Sequence, residues 1–171
     1  MHPDSLLKRI LFSSKTRQNV SAPLKEDTMR KDIVLVTNNP CFQQSVDSSR
    51  LMFLCGTSLN VLTAARDEIH LGGELLTHPL YGNLRPNQQP FRSVLLRKPA
   101  IEKNDKHEKN FDAAFYLESI STIEEAVLLY RSYGSQLLTP ERLPGPARND
   151  YALVDSELMR ESLTQYGLLS D

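Results

Sequence analysis

Apolar positions along this chain switch between two periods, which predicts short strands interleaved with amphipathic helices. Ile33-Val34-Leu35-Val36 is β-branched, apolar and brief, as a buried strand should be, and it ends in Thr37-Asn38-Asn39-Pro40. Asn tolerates left-handed backbone angles and Pro40 cannot continue a strand, so the chain turns there. Leu51-Met52-Phe53-Leu54 predicts a second strand, ending at Gly56-Thr57-Ser58. Thr57 or Ser58 then caps a helix with Val61, Leu62, Ala65 and Ile69 on one side and Thr63, Arg66, Asp67 and His70 on another. Gly72-Gly73 supplies its stop.

Glu74-Leu75-Leu76-Thr77 reads as a third strand, and Phe91 to Arg97 as a fourth, closed by Pro99. Between them stand three turn signals, at His78-Pro79, Tyr81-Gly82-Asn83 and Pro86-Asn87. A loop of this length in a compact domain is more often functional than not. After a mixed-charge connection from Glu102 to Asn110, the pattern turns helical. Phe111 to Glu118 predicts one helix. Ser121 with Glu124 predicts a capping box opening another, with Ile123, Ala126, Val127 and Tyr130 inward and Gly134 at its end. A proline-rich connector runs through Thr139-Pro140 and Pro144-Gly145-Pro146. Tyr151-Ala152-Leu153-Val154 reads as a short edge strand, and Asp155 or Ser156 as the cap of a last helix with Met159, Ser162, Leu163 and Tyr166 on one face. The alternation indicates an α/β fold: a layered sandwich with a small, mostly parallel central sheet flanked by helices.

Residues 1–31 differ in character from the remainder of the chain and read as an N-terminal extension, leaving residues 32–171 as a single α/β domain. Leu6 to Phe12 carries an apolar side, and Ser13 to Arg30 is a polar linker. Lys8 and Arg9 break the apolar run, which makes it a poor signal peptide, and Met29 is an alternative start.

Composition narrows the classes further. Of 171 residues, 40% are hydrophobic and 24% charged, ordinary values for a globular protein. The net charge of −1 gives no footprint for nucleic acid or an anionic membrane surface. No run approaches the roughly 18 apolar residues of a membrane span. Cys41 and Cys55 have no metal-ligand or redox spacing, and two reduced, partly buried thiols fit a cytoplasmic protein.

The candidate chemistry lies between Gly56 and Leu96, together with the Thr37–Pro40 turn. Thr37, Asn38, Asn39, Gly56, Thr57, Ser58, Arg66, Gly82, Asn83 and Asn87 are the candidate ligand-binding residues, supplying amides, hydroxyls, one guanidinium and backbone groups. His78 is the candidate general acid or base, because imidazole titrates near neutrality. No GxxxxGK[ST] or GxGxxG motif marks a nucleotide site, and no GxSxG elbow completes a triad around Ser58 or Cys55 with Asp67. His70, His78, Asp67 and Glu74 lack HxxxH or HxH spacing, so neither a metal nor a cofactor is expected.

Several of these segments together resemble the GrdX family, small proteins encoded beside the glycine, sarcosine and betaine reductase genes of anaerobic amino-acid-fermenting bacteria. They are the Thr37-Asn38-Asn39-Pro40 turn, the Gly56-anchored helix ending at His70, Leu75-Leu76-Thr77-His78-Pro79-Leu80 with Gly82-Asn83, Pro86-Asn87 with Pro90-Phe91, and Ser93-Val94-Leu95. The likeness covers Asp32 to Leu96, with weaker matches at Ile123–Ala126 and Asp155–Leu163. It implies a cytoplasmic protein associated with reductive amino-acid fermentation, and carries over no catalytic residue. A fainter likeness links Thr37-Asn38-Asn39 to the opening of house-cleaning nucleoside triphosphate pyrophosphatases. There a phosphate-gripping lysine and an acidic residue come next, whereas here Pro40, Cys41, Phe42 and Gln43 do.

The residues support two readings of different class. One is an accessory module that binds a small polar metabolite, or a glycine or betaine reductase component, in a loop-lined cleft. The other is a small enzyme using His78 as acid or base, with Asp67 or Arg66 orienting the substrate.

Overall fold

The structure is a computed structural model that describes residues 32–99 and 113–169. The extension at 1–31 and the charged connection at Glu102–Asn110 lie outside the described residues. Elements run in the order β1 (Ile33–Thr37), β2 (Leu51–Phe53), α1 (Ser58–His70), β3 (Glu74–Leu75), β4 (Ser93–Arg97), α2 (Ala113–Tyr133) and α3 (Gly145–Gln165).

All five residues of β1 are buried, as an unbroken β-branched run requires. The sheet order is β2-β1-β4-β3, so β1 and β4 are central and the two shortest strands are the edges. Short edges limit pairing with other chains. β1 runs parallel to β2, with Leu35 opposite Leu51. It runs antiparallel to β4, with Leu35 opposite Leu95, and β4 runs antiparallel to β3. The sheet is therefore mixed and mostly antiparallel, which corrects the mostly parallel expectation. A strand–helix alternation favours parallel pairs only when each helix carries the chain back to the start of the sheet. Here β1, β2 and β3 point the same way, but β4 returns in the opposite direction after the 76–92 loop and lies between β1 and β3, so both of its pairings are antiparallel.

Successive strand side chains point to opposite faces. Val34, Val36, Val94 and Leu96 join Val61, Leu62, Ala65 and Ile69 of α1 and Ile123, Ala126, Val127 and Tyr130 of α2 in one apolar cluster. Ile33, Leu35 and Leu95 join Phe42, Val46, Met159 and Leu163 in the other, so α3 packs on the opposite face from α1 and α2. Arg50 ties the start of β1 to the end of α3, donating to the carbonyls of Ile33 (3.2 Å), Gly167 (2.7 Å) and Tyr166 (3.1 Å).

The helices keep the expected cap of α1 and change the expected bounds of α2 and α3. Thr57 caps α1 as expected, in a capping box with Asn60, and Gly72 at φ 100° lies just past the helix end. Ser121, by contrast, lies inside α2, which runs unbroken from Ala113 to Tyr133. No Gly or Pro interrupts the chain there, so backbone carbonyls one turn back satisfy the N–H groups that a cap would otherwise serve. Tyr151–Val154 is not a strand but part of α3, and Asp155 sits mid-helix instead of capping it. Pro146 belongs to the first turn of α3, where a missing N–H costs nothing, so the Pro-Gly-Pro connector opens the helix. Ala152, Asp155, Met159 and Leu163 then recur at helical spacing as its buried face.

Candidate functional site

The end of β1, the start of α1, the residue 76–92 loop and the middle of α3 meet in one buried polar seam. Thr37 accepts the backbone N–H of Asn39 (2.9 Å) and lies 2.7 Å from the Ser93 hydroxyl. Ser93 donates its proton to Asp155 Oδ2 (2.8 Å), so Thr37 is the donor in the Thr37–Ser93 bond. Asn39 donates to the same Asp155 oxygen (2.9 Å) and to the Ala152 carbonyl (2.7 Å), while its Oδ1 accepts from Cys41 N (3.0 Å). Asn38 donates to the Gly56 and Pro90 carbonyls, both at 2.9 Å, and accepts the Arg92 N–H at 2.8 Å. Ser58 donates to the Gln89 carbonyl (2.6 Å). Asn38 and Ser58 thus bring the turn after β1 and the start of α1 together around Gln89, Pro90 and Arg92, whereas Thr57 bonds to Asn60 within the first turn of α1.

Arg92 and Tyr81 form the other half of the seam. The Arg92 guanidinium, 1% exposed, donates to the Tyr130 hydroxyl (2.6 Å) and the Tyr81 carbonyl (3.2 Å). Its Cζ lies 4.6 Å from the Tyr81 ring centre, a cation–π distance. The Tyr81 hydroxyl donates to Asp155 Oδ1 and accepts the Ser93 N–H (2.9 Å). Burial, and then the Asp155 charge, push the Tyr81 phenol well above its ordinary pKa, so it stays a donor. Burial also raises Tyr130, against the opposing pull of Arg92.

His78 is half-buried, and its Nδ1 accepts the Leu80 N–H at 3.1 Å, which puts the proton of the neutral ring on Nε2. Burial lowers its pKa, the Arg92 cation lowers it further, and Glu125 of α2 opposes both. Arg66 lies apart from the seam on α1, paired with its neighbour Asp67 (2.7 Å). Gly82 and Asn83 form part of an exposed crest that continues through Leu84 and Arg85. Asn87 is half-buried, its carbonyl accepts Leu138 N (2.9 Å), and its Oδ1 has no partner among the described residues.

Sequence reasoning missed Arg92, Tyr81, Gln89, Ser93, Tyr130 and Asp155. Arg92 did carry a signal, since it shares a strand face with Val94 and Leu96 and so is a charge aimed at an apolar core. Both cysteines are exposed, contrary to the expectation of partly buried thiols. Partial desolvation and the Asp155 charge hold the Cys41 thiol above its ordinary pKa, which disfavours the reactive thiolate. Among the described residues, no three His, Cys, Asp or Glu side chains gather as a metal site would need, and no helix is long and apolar enough to cross a membrane.

A shallow depression beside the seam is lined by Tyr81, Leu84, Gln89, Pro90, Phe91, Tyr151, Val154, Asp155 and Leu158. It lies between the crest of the 76–92 loop and the outer face of α3. The family model described as GrdX-like protein matches this chain over residues 34–164, which includes every residue of the seam and the depression. Comparisons with curated proteins and with solved structures gave no match.

Proposed function

Because the chain belongs to the GrdX-like protein family, we propose that it is a cytoplasmic accessory protein of reductive amino-acid fermentation. In this reading it binds a small polar metabolite or a glycine or betaine reductase component on the face made by the 76–92 loop and α3. One observation carries this reading. The loop is fixed from beneath by Asn38, Ser58 and Arg92, yet Gly82, Asn83, Leu84 and Arg85 at its crest are exposed. Rigid support under an exposed crest is how loops present recognition residues. Thr37, Asn38, Asn39 and Ser58 have the supporting part, holding that crest in place.

Thermal denaturation with glycine, betaine or acetyl phosphate tests the metabolite arm, since a ligand that binds only the native state raises the midpoint. Co-purification of the tagged full chain with reductase subunits tests the partner arm. A shift or a captured subunit supports the reading, and the absence of both refutes it.

A second reading is favoured by His78, whose neutral ring keeps a proton on Nε2 close to a buried cation. In that reading His78 acts as a general acid from its imidazolium form, giving the Nε2 proton to the substrate and returning to the neutral ring that burial and the Arg92 cation favour. A His78→Gln variant that keeps the fold and the ligand-induced stabilisation but loses turnover would establish it.

A further inference from the structure

The face of α3 beside the loop crest is apolar where it meets solvent. Val154 and Leu158 of the helix and Leu84 of the crest are 45%, 46% and 42% exposed, and they rim the depression. Asp155 and Gln89 add little to that surface, being 5% and 6% exposed. What the face offers is therefore burial of carbon. Asp150, Glu157 and Glu161 stand exposed beside it, three or four residues from Val154 or Leu158 and so on the same side of the helix. Glu157 pairs with Arg160 (2.5 Å), while Asp150 and Glu161 have no ion pair among the described residues.

Residues 1–31 contain a segment that fits this surface in pattern, charge and reach. Leu6, Leu7, Ile10 and Leu11 recur at helical spacing, which leaves Lys8 and Arg9 on the flanks of an apolar side. That pattern suits an apolar stripe with an acidic margin, because long basic stems reach past an apolar contact to the carboxylates beside it. Of the chain's 20 Lys and Arg and 21 Asp and Glu, residues 1–31 hold seven and three, so they carry +4 against −5 for residues 32–171. Arg50 binds the carbonyls of Ile33, Tyr166 and Gly167, so the extension joins the domain beside the C-terminal end of α3. Leu158 lies about 12 Å back along the helix from Tyr166, at about 1.5 Å per residue. A coil of the 18 residues from 13 to 30 spans about 23 Å, which gives the segment an effective concentration near the millimolar range over that face.

We propose that residues 6–12 form a two-turn helix that packs its leucine and isoleucine side on Leu84, Val154 and Leu158, with Lys8 and Arg9 against Asp150 and Glu161. The apolar patch, on the order of a few hundred Å², is well short of the roughly 800 Å² per partner of a standard interface, which favours a tethered occupant over a second copy. The docking stands on the fold and the sequence alone. Its consequence rests on the reading of the loop and α3 as the recognition face: the segment covers that face and competes with whatever binds there.

The chain has no tryptophan, so Leu7→Trp gives the full-length protein a single reporter on the apolar side of the segment. Its emission should lie to the blue of the same tryptophan in a synthetic peptide of residues 1–20, and acrylamide should quench it less. Neither difference should depend on protein concentration. In that background Leu158→Glu and Val154→Glu, both at exposed positions, and Ile10→Glu in the segment itself should each return emission and quenching to the peptide's values. Lys8→Glu with Arg9→Glu should lower the docked-to-free ratio about fivefold, as two exposed ion pairs provide. Peptide-like emission from the full-length protein, or a blue shift that survives both Leu158→Glu and Val154→Glu, overturns the proposal. A shift that grows with protein concentration overturns it in favour of a second copy, and one that appears only with phosphatidylglycerol vesicles in favour of a membrane. Capture of reductase subunits by a chain whose reporter stays in solvent leaves the accessory reading standing and strikes only the docking.

Discussion

The turn after β1 and the crest of the 76–92 loop are built from the same kinds of residue, and the fold treats them in opposite ways. Thr37, Asn38 and Asn39 are 0%, 4% and 0% exposed, and each side chain bonds to groups distant in sequence. Gly82 and Asn83 stand in solvent. The difference comes from position. A turn at the carboxyl end of a central strand is covered by whatever crosses the sheet, here α3 and the loop itself, so its polar groups must find partners inside the protein. A turn in the middle of a long connection has only water over it. Polar turn residues therefore mark two different things: a fastening where the chain is covered and a recognition surface where it is not.

The sharpest way to break that contrast is at Asp155, where three donors from three elements converge: Asn39, Ser93 and Tyr81. Asp155→Ala leaves the three donors without that acceptor and removes a negative charge that acts on buried Arg92, so urea unfolding should show a loss of about 3–5 kcal/mol. A loss below about 1 kcal/mol would mean that the seam is not what fastens α3 to the sheet.

His78 sharpens the contrast through pH, because it lies between the two regions. Its folded pKa is lowered below the ordinary value near 6.5. Between the two values the unfolded chain holds more protons than the folded one, so stability rises with pH across that window and falls as the pH drops below about 6.5. His78→Gln should flatten this slope in unfolding curves measured from pH 7 down to pH 5, with no difference from wild type expected above pH 7. An unchanged slope in the variant would place the titrating group elsewhere.

The smallest effect is expected at the crest. Asn83→Ala should leave stability within about 0.5 kcal/mol of wild type, as exposed substitutions do. It should nevertheless weaken capture of the ligand or partner in pull-down or thermal-shift assays. A variant that destabilises the fold instead would show that the crest is also a fastening.

Much of this was legible in the sequence. The strands at Ile33, Leu51 and Ser93, the Thr57 cap and the inward faces of α1 and α2 arise from local periodicity and capping chemistry. What failed depended on distant contacts. Nothing local states that β4 runs against β1, because strand direction is set by how the 76–92 loop crosses the molecule. Tyr151-Ala152-Leu153-Val154 reads as a strand until Pro146 is recognised as a helix opener, and only then does Asp155 fall on a buried helical face. The location of the polar cluster was visible, because turn residues are conspicuous. Which of them would be buried was not, because that depends on α3 arriving from more than a hundred residues downstream, as Asn39 reaching Ala152 shows.

The most direct measurement is equilibrium urea unfolding of Asn38→Ala, monitored in parallel with binding of whichever metabolite or reductase subunit the wild type recognises. Asn38 makes three buried or partly buried hydrogen bonds, to Gly56, Pro90 and Arg92. As a fastening, its loss should cost about 3 kcal/mol of stability, with binding retained by the fraction that remains folded. A variant as stable as wild type that no longer binds would contradict this account and make the turn after β1 the site itself.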